Sequence, residues 1–313
     1  MNMRYTELGT SNLRVSEIAL GLMRISNKTT EEVVELLETA VDLGINFFDL
    51  ADIYAGGVSE QKFGEALKAS SIDRDKILVQ TKTGIVQRTD GQNGMFDFSK
   101  EHILKTVDES LQRMQLDYVD TLLLHRPDAL MEPAEIAETF NQLRQEGKVR
   151  YFGISNMNRY QTEYLQSFLN TYLVTNQLQF GLGHTGMVDF GLFTNMDVPE
   201  GHDHDSGLYP YIQQTGMTLQ AWSPYQFGNF SGVFIDNPKF PELNAEMEKV
   251  AQNHGVTKNA VASAWILRLP ASTQVIAGTT KPSRLKEIAA GTDFELSKGE
   301  WYNLYQASGH KLP

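Results

Sequence analysis

The chain has 313 residues, of which 41% are hydrophobic and 21% charged, the balance of an ordinary soluble globular protein. Its formal net charge of −12 disfavours a general nucleic-acid or membrane-surface binder, since both surfaces present anions, yet leaves room for an anionic cofactor held by a few local cations. There is no cysteine, which excludes disulfides, thiolate chemistry and Cys-ligated zinc.

The opening segment, MNMRYTELGTSNLRVS, lacks the basic-then-apolar order of a secretory signal. No run approaches the roughly 20 apolar residues of a membrane span, so a cytoplasmic protein is expected. On that expectation the glycosylation patterns at Asn27-Lys28-Thr29 and Asn229-Phe230-Ser231 are chance matches. A turn at Gly9-Thr10 predicts a short N-terminal β-hairpin. Strand-like runs then follow at Glu17–Leu22, Phe47–Asp52, Ile77–Lys82, Val119–His125, Arg150–Ser155, Asn176–Phe180, Thr218–Trp222 and Gln274–Ala277. Helical patterns separate them. In Thr30–Gly44 the apolar residues Val33, Leu36, Leu37, Ala40 and Val41 fall on one face, with a Thr29/Glu32 capping box ahead and Gly44 behind. Lys100–Gln115, Pro133–Gly147 and Pro241–Gly255 carry similar patterns. Eight β→α units without a visible linker predict one (β/α)₈ TIM-barrel domain over residues 1–313, with an open doubly wound sheet as the alternative. Long connections after the sixth and seventh strands, 181–205 and 223–240, would shape a ligand site.

Four residues sit at or just after the ends of successive strand-like runs: Asp49 and Tyr54 in GINFFDLADIY, Lys82 in ILVQTK and His125 in DYVDTLLLHRP. A parallel β/α fold brings such positions to one end of its sheet. A phenol is a weak acid at neutral pH, and a neighbouring ammonium lowers its pKa and eases proton release. The aspartate would hold the ammonium, and the imidazole would orient a substrate oxygen. No activated Ser or Cys is present, so the set delivers a proton but lacks a nucleophile. Hydride from a nicotinamide supplies the missing reactant. Each residue alone also has an ordinary structural explanation, and only their convergence carries the chemistry.

At this point the chain resembles the aldo-keto reductase superfamily, specifically its general bacterial-type oxidoreductases. The resemblance rests on the ordered words GINFFDLADIYAGGVSEQKFGEAL, LVQTKTG, DYVDTLLLHRPD, GKVRYFGISN, TNQLQF, LQAWSPY and GTTKPSRLKE. It implies a TIM barrel, a catalytic tetrad of Asp49, Tyr54, Lys82 and His125, and NADPH-dependent reduction of aldehydes or ketones. By the same resemblance Ser155, Asn156 and Gln177 bind the nicotinamide carboxamide, Trp222 stacks on its ring, and Ser223 meets the pyrophosphate. Lys281, Ser283 and Arg284 suit a 2′-phosphate, which favours NADP(H) over NAD. Gly21, Leu22 and Met23 would line the pocket floor, and Glu287 belongs to the cofactor set. Leu50 and Ile288 depart from the family, replacing a common Thr and a common Asn at an adenine contact. A small carbonyl substrate is the expected partner, with neither nucleic acid nor membrane. The oligomeric state stays open, a monomer being compatible with the sequence.

Rival readings are an NADP-binding regulatory barrel, as some relatives of this fold are beside ion channels, and a hydrolase or lyase using Asp49 and His125. Gly181-Leu182-Gly183-His184-Thr185-Gly186 satisfies G-x-G-x-x-G, but the residues after it lack helical periodicity, so a flexible loop is expected instead of a dinucleotide fingerprint. His202-Asp203-His204-Asp205 is read as a solvated loop, and no metal is expected.

Overall fold

The computed structural model describes residues 2–228 and 230–313, with the side chain of Asn93 outside that set; the glycosylation pattern at Asn229 thus has its asparagine outside the described residues. The strands are β1 (Tyr5–Glu7), β2 (Arg14–Ser16), β3 (Ile18–Gly21), β4 (Phe47–Asp49), β5 (Leu78–Thr83), β6 (Ile85–Gln87), β7 (Asn93–Phe96), β8 (Val119–Leu124), β9 (Val149–Ser155), β10 (Thr175–Gln179), β11 (Thr218–Trp222) and β12 (Thr273–Ala277). The helices are α1 (Thr30–Asp42), α2 (Val58–Ala69), α3 (Lys100–Met114), α4 (Pro133–Gln145), α5 (Arg159–Gln166), α6 (Gly186–Leu192), α7 (Leu208–Thr215), α8 (Pro241–His254), α9 (Lys258–Leu267), α10 (Pro282–Ala289) and α11 (Lys298–Ala307).

Eight parallel strands close in the order β3-β4-β5-β8-β9-β10-β11-β12, and the pairing of β12 with β3 excludes the open sheet. The fold is a (β/α)₈ barrel. The β1–β2 hairpin pairs antiparallel, and its Gly9 N–H donates to Thr218 Oγ1 at the start of β11, 2.7 Å away. The hairpin therefore lies at the end of the barrel where strands begin, leaving the opposite end to the long connections. A second hairpin, β6–β7, follows β5. The expectations above do not include it, although Asp90-Gly91 is a turn signal between its strands.

Local sequence explains the helices. Thr29 and Glu32 form the anticipated capping box on α1, whose Val33, Leu36, Leu37 and Ala40 are buried against the barrel wall. Gly255 terminates α8 in the left-handed conformation, which a residue without Cβ adopts freely.

Alternation along β5 connects the barrel to its site. Gln80 and Lys82 point inward, while Thr81 donates to Glu60 of α2 and Thr83 is hydrogen-bonded to Thr106 of α3. Glu60 is wholly buried and also accepts from Arg113 Nε at 2.8 Å, so α2 and α3 are locked to the outer face of β5. Beyond β4 the hydrogen-bond ladder continues, from Leu50 N–H to Gln80 O at 2.8 Å and from Asp52 N–H to Lys82 O at 3.2 Å. That extension fixes the chain leading to Tyr54. Burial, and next the Glu60 carboxylate, push the Asp52 carboxyl up to about 8; Arg113 and Lys82 oppose them only in part.

Two predictions follow from this packing. A Cβ at Gly64 of α2 would lie 2.4 Å from the backbone oxygen of Met114, against a backbone that cannot rotate away. Gly64→Ala should therefore lower stability by about 1–3 kcal/mol, outweighing the helix-propensity gain of about 1 kcal/mol. Urea unfolding midpoints would decide, and a stabilised variant would show that α2 and α3 can separate at no cost. Asp52 has a folded pKa above its unfolded one, so its stabilising contribution is complete below about pH 4 and is lost as pH rises through about 8. Asp52→Asn removes that titration, and its stability relative to wild type should climb between pH 5 and 8 by at most about 1.4 kcal/mol per unit, then level off. A difference independent of pH would mean that Asp52 stays ionised in the folded protein.

Candidate active site

Asp49 ends β4, Lys82 lies within β5, His125 follows β8, and Tyr54 sits in the turn before α2. The barrel brings all four together at the ends of the strands. Lys82 Nζ donates to a carboxylate oxygen of Asp49 at 2.8 Å, to Leu50 O at 2.7 Å and to Tyr54 Oη at 3.1 Å. Lys82 is 0% exposed and Asp49 2%, so the ion pair is dry. Gln80 Nε2 and Gln177 Nε2 also donate to Asp49 Oδ1, at 2.6 and 3.0 Å. The amides of Gln80, Gln177, Gln220 and Gln274 continue as a buried chain across the barrel, ending on Ser16 O. The His125 ring meets Tyr54 edge-on, with centroids 5.9 Å apart and planes at 78°.

These contacts correct one expectation. Burial raises the Tyr54 pKa above its ordinary value, and the neighbouring Lys82 ammonium opposes that rise without overcoming it. The phenol therefore holds its proton more firmly than the sequence suggested. For Lys82 burial disfavours the ammonium, but Asp49 and then Tyr54 outweigh it, and the net shift is upward. His125 is pushed well below its usual range by burial, with Lys82 and Arg126 adding to the effect. It is neutral at neutral pH, and its Nδ1 is buried without a hydrogen-bond partner among the described residues.

A cleft of about 510 Å³ opens over this group. Gly21, Met23, Asp49, Tyr54, His125, Ser155, Asn156, Gln177, Trp222, Ser223 and Arg284 all border it. Asn156 adopts φ 58°, its Oδ1 accepts from Trp222 Nε1 at 3.1 Å, and its Nδ2 donates to Ser155 Oγ at 2.7 Å. Indole and carboxamide thus hold each other in place at the cleft wall. Other anticipated residues stand elsewhere. Leu22 does not border the cleft but is wholly buried in the apolar core. Lys281 and Ser283 are exposed at the start of α10 outside the cleft lining, and Glu287 accepts from Asn259 Nδ2 at 2.6 Å. Ile288, the departure beside it, does border the cleft.

Sequence reasoning missed Arg24, Arg126, Gln226, Asp236 and Asn259, which also line the cleft. Arg126 stands inside the HRPD word beside His125 and could have been found there; Asn259 carries no local signal. The loop expected after β10 contains a helix, α6, which begins on Gly186, the last residue of the glycine-rich word. Its Asp189 accepts locally from Thr185 Oγ1 at 2.9 Å and, in a tertiary contact that holds a segment without helical periodicity, from Tyr305 Oη at 2.8 Å. Gly181 and Gly183 are small because the next connection crosses them: a Cβ would lie 2.2 Å from Pro224 O and 2.5 Å from Gln226 O. Among the described residues no metal-binding cluster is found, and no helix is long and apolar enough to cross a membrane.

Comparison with known proteins agrees with this geometry. The chain is 34% identical over 311 residues to the uncharacterized oxidoreductase YcsN of Bacillus subtilis, covering 96% of this chain and 97% of that one. It is 32% identical over 304 residues to a 6-dehydroglucose reductase of Agrobacterium fabrum, covering 95% of each. The crystal structure of a thermostable aldo-keto reductase, Tm1743, in complex with the inhibitor epalrestat superposes with a TM-score of 0.77 at 25% identity, covering 97% of this chain and all of that one. The model of the aldo/keto reductase family matches residues 17–308, and the chain belongs to that family of oxidoreductases.

Proposed function

We propose that the protein is an NADPH-dependent reductase of aldehydes or ketones in which Tyr54 is the general acid. The observation that carries this reading is the Tyr54 hydroxyl held 3.1 Å from the buried Lys82 ammonium at the base of a cleft. The cleft suits a nicotinamide dinucleotide. It is bordered by the polar groups of Ser155 and Asn156 and by the Trp222 indole. Arg284, which also borders it in the first turn of α10, has no carboxylate partner among the described residues, and the α10 N-terminus has no side-chain cap. A free guanidinium beside unsatisfied backbone N–H groups favours phosphate, and so NADPH over NADH.

When bound, the reduced nicotinamide supplies hydride to the carbonyl carbon. Tyr54 gives its proton to the carbonyl oxygen, and Lys82 stabilises the phenolate left behind. Asp49, fixed by Lys82, Gln80 and Gln177, keeps the ammonium aimed at Tyr54. Neutral His125 hydrogen-bonds the same oxygen without competing as an acid. The kinship with a 6-dehydroglucose reductase makes a sugar-derived aldehyde one substrate to assay.

Tyr54→Phe should cut turnover of a reactive aldehyde by about 10²–10⁴-fold while leaving NADPH binding, followed by nicotinamide fluorescence, within the wild-type range. Undiminished turnover would remove Tyr54 from the mechanism, and NADPH binding with no turnover of any carbonyl in wild type would favour a regulatory barrel instead. The phenol must be protonated to act, and its pKa is raised, so reductive kcat should hold through neutral pH and fall only in the alkaline range. A decline centred near pH 7 would assign the proton to another group. Arg284→Ala should weaken NADPH binding by about 10–100-fold and NADH binding hardly at all, by the usual worth of a charge-assisted contact. Equal losses for both cofactors would place the 2′-phosphate elsewhere.

A further inference from the structure

The charges within the cleft are unevenly committed. Its carboxylates are taken: Asp49 is held by Lys82, and Asp236 forms an ion pair with Lys258 at the start of α9. Its arginines are not. Arg24 and Arg284 have no carboxylate partner, and Arg126, half-buried directly after His125, makes neither a salt bridge nor a hydrogen bond among the described residues. Asp128, two residues on, accepts from Leu130 N–H instead. Arg126 lies over the Trp222 ring at 5.6 Å. Taking a guanidinium partly out of water without a counterion is unfavourable, so a folded chain that keeps one beside its reacting groups gains from a ligand that completes the pair.

Resting on the reductase reading, we infer that Arg126 is a specificity-determining residue that seats an oxyanion, a carboxylate or a phosphate, on the carbonyl substrate. The position decides against a cofactor role. Arg284 follows β12, four strands around the eight-stranded barrel from β8, whereas Arg126 follows β8 directly after His125, whose ring meets Tyr54 edge-on. The planar fork of arginine takes both oxygens of a carboxylate at once and fixes its orientation. Ile85, which follows β5 beside β8, adds an apolar side chain to the lining on the Arg126 side, which suits a short hydrocarbon link between carbonyl and anion. The chain as a whole is acidic, so the preference comes from this local cation and not from the overall field.

The test compares paired substrates with NADPH: 4-oxobutanoate against butanal, and glycolaldehyde phosphate against glycolaldehyde. Wild type should favour the anionic member of at least one pair by 10-fold or more in kcat/KM, and the pair that responds distinguishes carboxylate from phosphate. Arg126→Leu should reduce that ratio by about 10–100-fold, whatever loss both substrates share, and Arg126→Lys should restore part of it. Ratios near one in both pairs, or a ratio that Arg126→Leu leaves intact, would overturn the inference. Turnover of the neutral aldehydes tests the reductase reading by itself. If no carbonyl is reduced, tryptophan fluorescence still decides: succinate or inorganic phosphate binding to wild type and lost in Arg126→Leu upholds the anion seat, and binding unchanged by the substitution overturns it.

Discussion

The ion pair between Lys82 and Asp49 is the interaction on which the site depends. Both groups are almost fully removed from water, a costly state that persists because every charge has partners. The ammonium donates to Asp49, Leu50 O and Tyr54, and the carboxylate accepts from Lys82, Gln80 and Gln177. Removing either member would strand the other in the barrel, at a cost of about 3–5 kcal/mol. The same saturation that stabilises the pair leaves the lysine little freedom to aim anywhere but at the phenol.

The barrel interior is organised around this pair. Barrels of this class fill their interior with layers of branched apolar side chains. Here four glutamines run across one layer and hand hydrogen bonds from Asp49 to Ser16 O. Thr81 and Thr83 face outward from β5 and tie it to α2 and α3, so the strand is held from both sides. A polar layer of this kind is favourable only when nearly complete, and it makes the placement of Lys82 a property of the whole barrel.

Charge divides the molecule differently inside and out. The chain carries a net −12, yet the arginines of the cleft lack carboxylate partners among the described residues while its carboxylates are paired. An acidic surface with a locally cationic cleft discourages polyanions at large and admits small anionic ligands at one place. Arg284 and Arg126, which follow β12 and β8, stand on opposite sides of the barrel rim.

Much of this was readable beforehand. Strand-like apolar runs mark all eight barrel strands, and helical periodicity marks α1, α3, α4 and α8, because these signals are local and repeat along the chain. The four site residues were legible from the ends of those strands, since a parallel barrel leaves only one place for such ends to meet. The β6–β7 hairpin and α6 were not, being short and held by tertiary contacts such as Asp189 with Tyr305. Nor was the direction of the Tyr54 shift, which depends on how much water burial removes as well as on which charge is nearby. The amino-acid order by itself determined which groups could reach one rim of the barrel. Only the folded packing decided which of them are dry and which are paired, because desolvation and partnership are properties of neighbours distant in the chain.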